Sequence, residues 1–269
     1  WRFLYDTQFA VIDDFLVFKF WAGEQLAYMM PVGNGDLKAV LRKLIEDADK
    51  EKHNFCMLGV CSNMRADLEA ILPERFIFTE DRAYADYIYL RSDLATLKGK
   101  KFQAKRNHIN RFRNTYPDYE YTPITPDRIQ ECLDLEAEWC KVNNCDQQEG
   151  TGNERRALIY ALHNFEALGL TGGILHVNGK IVAFTFGMPI NHETFGVHVE
   201  KADTSIDGAY AMINYEFANR IPEQYIYINR EEDLGIEGLR KAKLSYQPVT
   251  ILEKYMACLK DHPMDMVRW

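Results

Sequence analysis

The chain of 269 residues is notable first for what it lacks. Its six cysteines (Cys56, Cys61, Cys132, Cys140, Cys145 and Cys258) contain no CxxC pair. Their irregular spacing is that of buried or incidental thiols in a reducing compartment, rather than of a zinc site or a disulfide framework. No apolar run approaches the roughly 18–20 residues that cross a bilayer; the longest, residues 15–27, is broken by Lys19 and Glu24. No transmembrane segment is therefore expected. The opening Trp1-Arg2-Phe3 leads to Asp6 and Asp13-Asp14 instead of a signal-peptide core, so the expected location is cytoplasmic. A start at Trp is read as the loss of a few leading residues.

Nucleophile-elbow, phosphate-loop and HExxH patterns are all missing, which sets aside the enzyme classes built on them. The seven histidines are scattered, and no metal ligand set is expected. A thiol nucleophile at Cys140 or Cys145 would need a neighbouring histidine that the sequence does not supply. A net charge of −8 argues against indiscriminate nucleic-acid binding over the whole surface.

What is present is a folded α/β composition, 47% hydrophobic and 27% charged, in a length that suits two domains. Residues 9–13, 15–21 and 26–32 form a β meander that stops at Gly33-Asn34-Gly35, and Asp36 caps a helix over 37–48. A strand (55–60), a helix (66–72) and a Tyr-rich strand (82–90) follow. The second half starts with a strand at 119–123 and two helices, opening at Asp127 and spanning about 154–168. Strands at 173–177, 180–189 and 194–200 come next, the first two joined by the hairpin signal Asn178-Gly179. A helix (209–220), a strand (225–229), a helix (236–244) and a last strand (249–254) finish the chain. The expected seam lies within 113–126, giving domains 1–118 and 119–269.

Two helices, a three-strand meander, a helix and then β-α-β resemble the GNAT acyltransferase order. Three stretches are similar to the catalytic C-terminal domain of the phosphatidylglycerol lysyltransferase family. They are Lys98-Gly-Lys-Lys-Phe-Gln-Ala-Lys-Arg-Asn-His-Ile-Asn-Arg-Phe112, His198-Val-Glu-Lys-Ala-Asp203 with Asp207-Gly-Ala-Tyr210, and Asn229-Arg-Glu-Glu-Asp-Leu-Gly-Ile-Glu-Gly-Leu-Arg-Lys-Ala-Lys-Leu-Ser-Tyr-Gln-Pro248. The resemblance implies an α/β fold with mixed sheets in two tandem GNAT-like domains, related to Fem-type peptidyltransferases. It also implies transfer of an aminoacyl group from aminoacyl-tRNA, often to a lipid hydroxyl. No counterpart of the membrane-spanning half of the lipid enzymes is expected within these residues, which leaves the acceptor open.

Residues 97–113 carry Lys98, Lys100, Lys101, Lys105, Arg106, Arg111 and Arg113 with no acid among them. As a helix, this stretch puts Lys101, Lys105 and His108 on one face and Phe102, Ile109 and Phe112 inward. Lys101, Lys105, Arg106 and Arg111 are thus candidate ligands for a polyanion such as a tRNA backbone, a nucleotide pyrophosphate or anionic headgroups. The alternative is a solvated face that balances acids elsewhere. Glu200, at a strand end, is a candidate general base, with a surface carboxylate as the competing reading. Gly208 would let a phosphate or oxyanion approach the backbone at a helix start, or else simply admits the chain to that helix. Acetyl-CoA enzymes carry several glycines at this turn, and only the last part of that pattern is here. Lys201 is a substrate-binding candidate, although a regular strand points it away from Glu200.

Arg230 and Lys243 could clamp an anionic group, Asp233 could hold a donor amino group, and Tyr246 could protonate a leaving oxygen. The competing reading for this segment is an ion-pair network that fastens the last helix to its strand. Three functions remain open on this evidence. They are a soluble acyl- or aminoacyltransferase working by direct attack, an acyl-CoA-dependent N-acyltransferase, and a non-catalytic binding module on the same fold.

Overall fold

The computed structural model describes residues 4–143 and 149–260. Apolar alternation builds β1 (Gln8–Ile12), β2 (Phe15–Ala22), β3 (Gln25–Met29) and the short β4 (Val32–Gly33). Asp36 accepts a hydrogen bond from the Ala39 amide and caps α1 (Leu37–Lys50), whose Val40, Leu41, Leu44 and Ala48 are buried. Then come β5 (Cys56–Val60), α2 (Ser62–Ile71), β6 (Phe76–Glu80), β7 (Asp86–Leu90), α3 (Arg91–Thr96) and α4 (Gln103–Thr115). The chain continues through β8 (Glu120–Pro123), α5 (Ile129–Asn143), α6 (Glu149–His163), β9 (Thr171–Val177), β10 (Lys180–Pro189) and β11 (Thr194–Ala202). Last are α7 (Ala209–Ala218), β12 (Tyr227–Asn229), α8 (Glu237–Leu244), β13 (Thr250–Leu252) and β14 (Tyr255–Leu259). No described helix is long and apolar enough to cross a membrane.

Two mixed sheets result. The first runs β1-β2-β3-β5-β14-β6 with β4 beside β2, and the second runs β13-β7-β12-β11-β10-β9-β8. The two share a plan that no residue-level repeat betrays. In each, three antiparallel strands lead through a crossover helix to a parallel neighbour: β3 to β5 across α1, and β11 to β12 across α7. The next slot is filled from elsewhere in the chain. β14, the last strand, inserts between β5 and β6, and β7, which follows β6 in sequence, inserts between β12 and β13.

This exchange moves the boundary expected at 118. The compact units are residues 1–85 with 252–269, and residues 86–251. The tract read as one strand over 82–90 is a 3-10 turn at Arg82–Tyr84 followed by β7, which pairs with β12. The tract read as the final strand over 249–254 ends early. β14 follows it, unforeseen, and pairs with β5 and β6.

The reading of all six cysteines as thiols is also corrected. Cys56 and Cys258 stand opposite each other on β5 and β14 and form a disulfide, and Cys140 is disulfide-bonded too. Cys61 and Cys132 are free, and Cys145 lies outside the described residues.

The second sheet is covered on both faces. One core joins α3, α4 and α7 through Leu94, Ile109, Phe112, Met212 and Phe217, and the other joins α5 and α6 through Leu135, Leu158 and Leu162 with Phe186 of β10. Asn178 and Gly179 take φ of 52° and 73° between β9 and β10, as the hairpin signal predicts. α7 is buried around most of its circumference, so its entry point is crowded. Gly208, at φ +85°, precedes it, and a Cβ there would lie 2.9 Å from the His108 carbonyl oxygen and 3.2 Å from Phe112 Cβ on α4. Gly208→Ala is expected to cost about 1–3 kcal/mol through backbone strain and overpacking. Urea unfolding is the check, and an unchanged midpoint would count against this close contact of α4 with α7.

Candidate active site

The site begins with a defect in β11. On β10, Phe186 pairs with Val199 but the next residue, Gly187, pairs with Val197, so His198 is an extra residue. Before this bulge, Phe195 and Val197 face the α7 core; after it, Val199 joins the opposite core, and Glu200 and Ala202 turn toward α7. On its other edge, β11 pairs with β12 only through Thr194, Gly196 and the residue between them. Residues 197–202 make no ladder pair on that side among the described strands, so the sheet opens where Glu200 stands.

Arg230, the first residue after β12, closes that gap. Its Nη2 donates to Glu200 Oε1 at 2.9 Å, and Asn214 Nδ2 of α7 donates to Glu200 Oε2 at 3.1 Å. Only 10% of the Arg230 side chain and 12% of the Glu200 side chain is exposed. The guanidinium carbon lies 5.0 Å from the ring centroid of Tyr246 and 5.7 Å from that of Tyr89. Burial, the largest single influence, works against the guanidinium charge, but Glu200, Tyr89 and Tyr246 together outweigh it and shift Arg230 upward. Lys105 of α4 enters the same cluster, its Nζ 3.9 Å from the Tyr246 ring centroid. Burial and the charge on Arg230 pull this ammonium down to about 8, with Glu200 opposing. Tyr246 is buried, which raises its pKa and keeps the phenol protonated near neutrality.

The structure therefore brings Glu200, Arg230, Tyr246 and Lys105 together, and it places the other candidates elsewhere. Lys243 does not face a ligand: its Nζ donates to the carbonyl oxygens of Arg230 (2.5 Å), Glu231 (3.2 Å) and Glu232 (2.5 Å), which use its three protons. Asp233 is fully buried and accepts from Tyr87 Oη at 2.6 Å, from Gly235 N at 2.9 Å, and from Arg240 through Nε and Nη2 at 2.8 and 2.9 Å. It organises the turn and has no oxygen directed at a donor amino group. Gly208 abuts α4, as described above.

Lys201 lies on the opposite face of β11, 3.6 Å from the Trp139 ring centroid and 3.0 Å from Glu154 Oε1. The cations of α4 and its approach also divide. Arg106 donates to the carbonyls of Leu97 and Gly99 at the end of α3, Lys101 pairs with Asp93 at 2.8 Å, and Arg111 pairs with Asp207 at 2.6 Å. Of the four, only Lys105 joins Glu200.

Several contributors were not among the candidate site residues. Asn214 and Tyr89 looked like ordinary helix and strand residues. Tyr210 accepts from Trp139 Nε1 at 3.0 Å and from the Ala202 amide at the end of β11. His198 Nδ1 lies 2.6 Å from Glu231 Oε1 and ties the bulge to the turn after β12.

The GNAT-type acyl-CoA cofactor meets a poor fit. At the turn before α7, the amides of Ser205, Ile206 and Ala209 already donate to Asp203 Oδ1, to the Asp203 carbonyl and to the Ile206 carbonyl. Asp207 adds a carboxylate there, where a pyrophosphate would need donors and positive charge.

A family model described as phosphatidylglycerol lysyltransferase, C-terminal, matches residues 1–258. The chain belongs to this family. A crystal structure assigned to the C-terminal domain of a lysylphosphatidylglycerol synthetase from Agrobacterium fabrum is similar over 94% of this chain and 83% of its own, with a TM-score of 0.71 at 14% identity. L-PGS from Bacillus licheniformis gives a TM-score of 0.68 at 18% identity, over 96% of this chain and 86% of that one. A tandem GNAT protein from the clavulanic acid biosynthesis pathway gives 0.51 at 11% identity, over 93% and 80%. At these identities the likenesses establish the fold. An uncharacterized protein of Mycoplasmoides gallisepticum is 25% identical over 177 residues, 64% of this chain and 55% of the relative, so the match spans about half of that protein.

Two outcomes test the division between turn and site. Lys243→Met leaves three turn carbonyls without their donor, so the thermal midpoint should fall by the equivalent of about 2–4 kcal/mol; an unchanged midpoint would return Lys243 to the ligand-facing set. Burial favours the neutral form of Asp233, but Arg240, Tyr87 and Gly235 outweigh it and hold the carboxyl well below the usual range. Its stabilising contribution is therefore present above the unfolded value of about 3.9 and lost as pH falls through the lower folded value. Asp233→Asn should be less stable at pH 7 and lose stability less steeply on acidification. Parallel acid limbs for the two proteins would argue against this role.

Proposed function

We propose that this chain transfers an aminoacyl group from aminoacyl-tRNA to an amine or hydroxyl acceptor by direct attack, with Glu200 as the general base. One observation carries the reading: a carboxylate that is buried, oriented by Arg230 and Asn214, and set where β11 and β12 part. The acceptor N–H or O–H attacks the ester carbonyl and passes its proton to Glu200. As the tetrahedral adduct collapses, the bond to the ribose oxygen breaks and that oxygen takes up the proton. Arg230, protonated throughout, offsets negative charge next to the reacting centre, and the protonated phenol of Tyr246 stands beside it. No covalent enzyme intermediate forms. Charged tRNA as donor implies a cytoplasmic location, a ground independent of the cysteines.

The test is incubation with a mixed pool of charged tRNAs, following loss of the aminoacyl ester and its appearance on amine and alcohol acceptors. Glu200→Gln should lower the rate by about 10²–10⁴-fold at a temperature where the variant remains folded, since loss of the partner of Arg230 should also lower the thermal midpoint. Failure to accelerate ester loss with any pool removes the proposal. Acetyl-CoA should leave the thermal midpoint unchanged, whereas a ligand at 100 times its Kd would add about 2.7 kcal/mol.

A further inference from the structure

The cluster around Tyr246 is not balanced in charge or in hydrogen bonding. Glu200 is the one carboxylate on the ion pair, and two cations, Arg230 and Lys105, stand over the Tyr246 ring. Arg230 spends Nη2 on Glu200, but its Nη1 is buried with no protein partner. A guanidinium N–H left in that state is costly, and such groups in folded proteins normally meet an acceptor. Lys105, half-buried like Arg230, sets its ammonium over the Tyr246 ring face and makes no ion pair with a carboxylate among the described residues.

Lys243 cannot neutralise the excess or share a ligand, because its protons serve three carbonyls. Glu231 is engaged with His198, and Asp207 with Arg111. Positive charge therefore dominates: two cations face one carboxylate, and beyond the larger effect of burial Arg230 lowers the Lys105 pKa more than Glu200 restores it.

We propose that Arg230 Nη1 and Lys105 Nζ form the seat of a single oxyanion, a phosphodiester or a carboxylate, bound at the open edge of β11 next to Glu200. An oxyanion has two oxygens, so it bridges two cations that do not touch; one accepts the orphaned Nη1–H and the other the ammonium. A neutral ligand would supply an acceptor but leave the charge excess, and a cation would add to it. Assignment of the oxyanion to a substrate rests on the transfer reading: a phosphodiester would come from the tRNA end, and a carboxylate from an acceptor or donor molecule.

The probes are dimethyl phosphate and acetate, titrated at low ionic strength into the full chain and followed by amide NMR or calorimetry. Both should give saturable one-site binding with shifts at Arg230 and Lys105. Lys105→Met should weaken it about tenfold or more, Lys105→Arg should largely retain it, and Lys101→Met, which removes the same charge from a surface ion pair, should leave it unchanged. Preference for dimethyl phosphate assigns the seat to a nucleic-acid backbone, and preference for acetate assigns it to a carboxylate; either supports the site.

Absence of saturable binding overturns the proposal. So do equal losses in Lys105→Met and Lys101→Met, which would report a diffuse field. Specific anion binding by a protein that leaves every charged tRNA untouched would keep the seat and discard the tRNA donor. Transfer activity unaffected in Lys105→Met, with no anion bound, would do the reverse.

Discussion

Three backbone carbonyls in succession, those of Arg230, Glu231 and Glu232, converge on one ammonium, and the candidate site depends on that convergence. The chain leaves β12 through Glu231 and Leu234 at φ of 56° and 53°, a left-handed backbone that side-chain-bearing residues rarely adopt. Lys243 supplies a donor to each carbonyl, while Asp233 gathers Tyr87, Gly235 and Arg240 beneath the same turn. Held from both sides, the turn directs the guanidinium of Arg230 back across the gap to Glu200. The two lysine-containing clusters thus divide the work. Lys243 builds the backbone that presents Arg230, and Lys105 shapes the field that Arg230 and Glu200 experience.

A buried ion pair such as Glu200–Arg230 adds little net stability relative to apolar residues of similar volume, because desolvation consumes the Coulombic gain. Stability alone is therefore a weak reason for such a pair at the parting of two strands. Its surroundings are costly as well, with an orphaned guanidinium nitrogen and, on Asn214, an orphaned amide oxygen. Features that lower stability and converge on one opening are what a preorganised polar site requires.

The same opening follows from the sheet. The bulge at His198 reverses the facing of every later residue on β11, delivering Glu200 to the α7 side and Lys201 to the α5 side. The second sheet draws β7 to β13 from one contiguous tract, whereas the first is completed by β14 from the far end of the chain, so a division at 118 leaves neither half with a complete sheet.

Much of this was legible in the residues alone. Period-two alternation marked the β1–β3 meander and the strands of the second half, Asn178-Gly179 marked a hairpin, and Asp36 marked a helix start, because each of these depends on neighbours in sequence. The stretches 98–112, 198–210 and 229–248 were enough to suggest the family. Which sheet β7 and β14 would join was not legible, since a strand's partner is chosen by hydrogen-bonding edges far away along the chain. The pairing of Cys56 with Cys258 was hidden for the same reason. Sequence also assigned Lys105 to an outer cationic face and Lys243 to a ligand clamp. Charge type and helical spacing determine that a residue is cationic and where its helix carries it. Only the packed structure decides whether the ammonium meets solvent, a ring or three carbonyls, because that depends on atoms contributed by β12, α8 and Tyr246 at once.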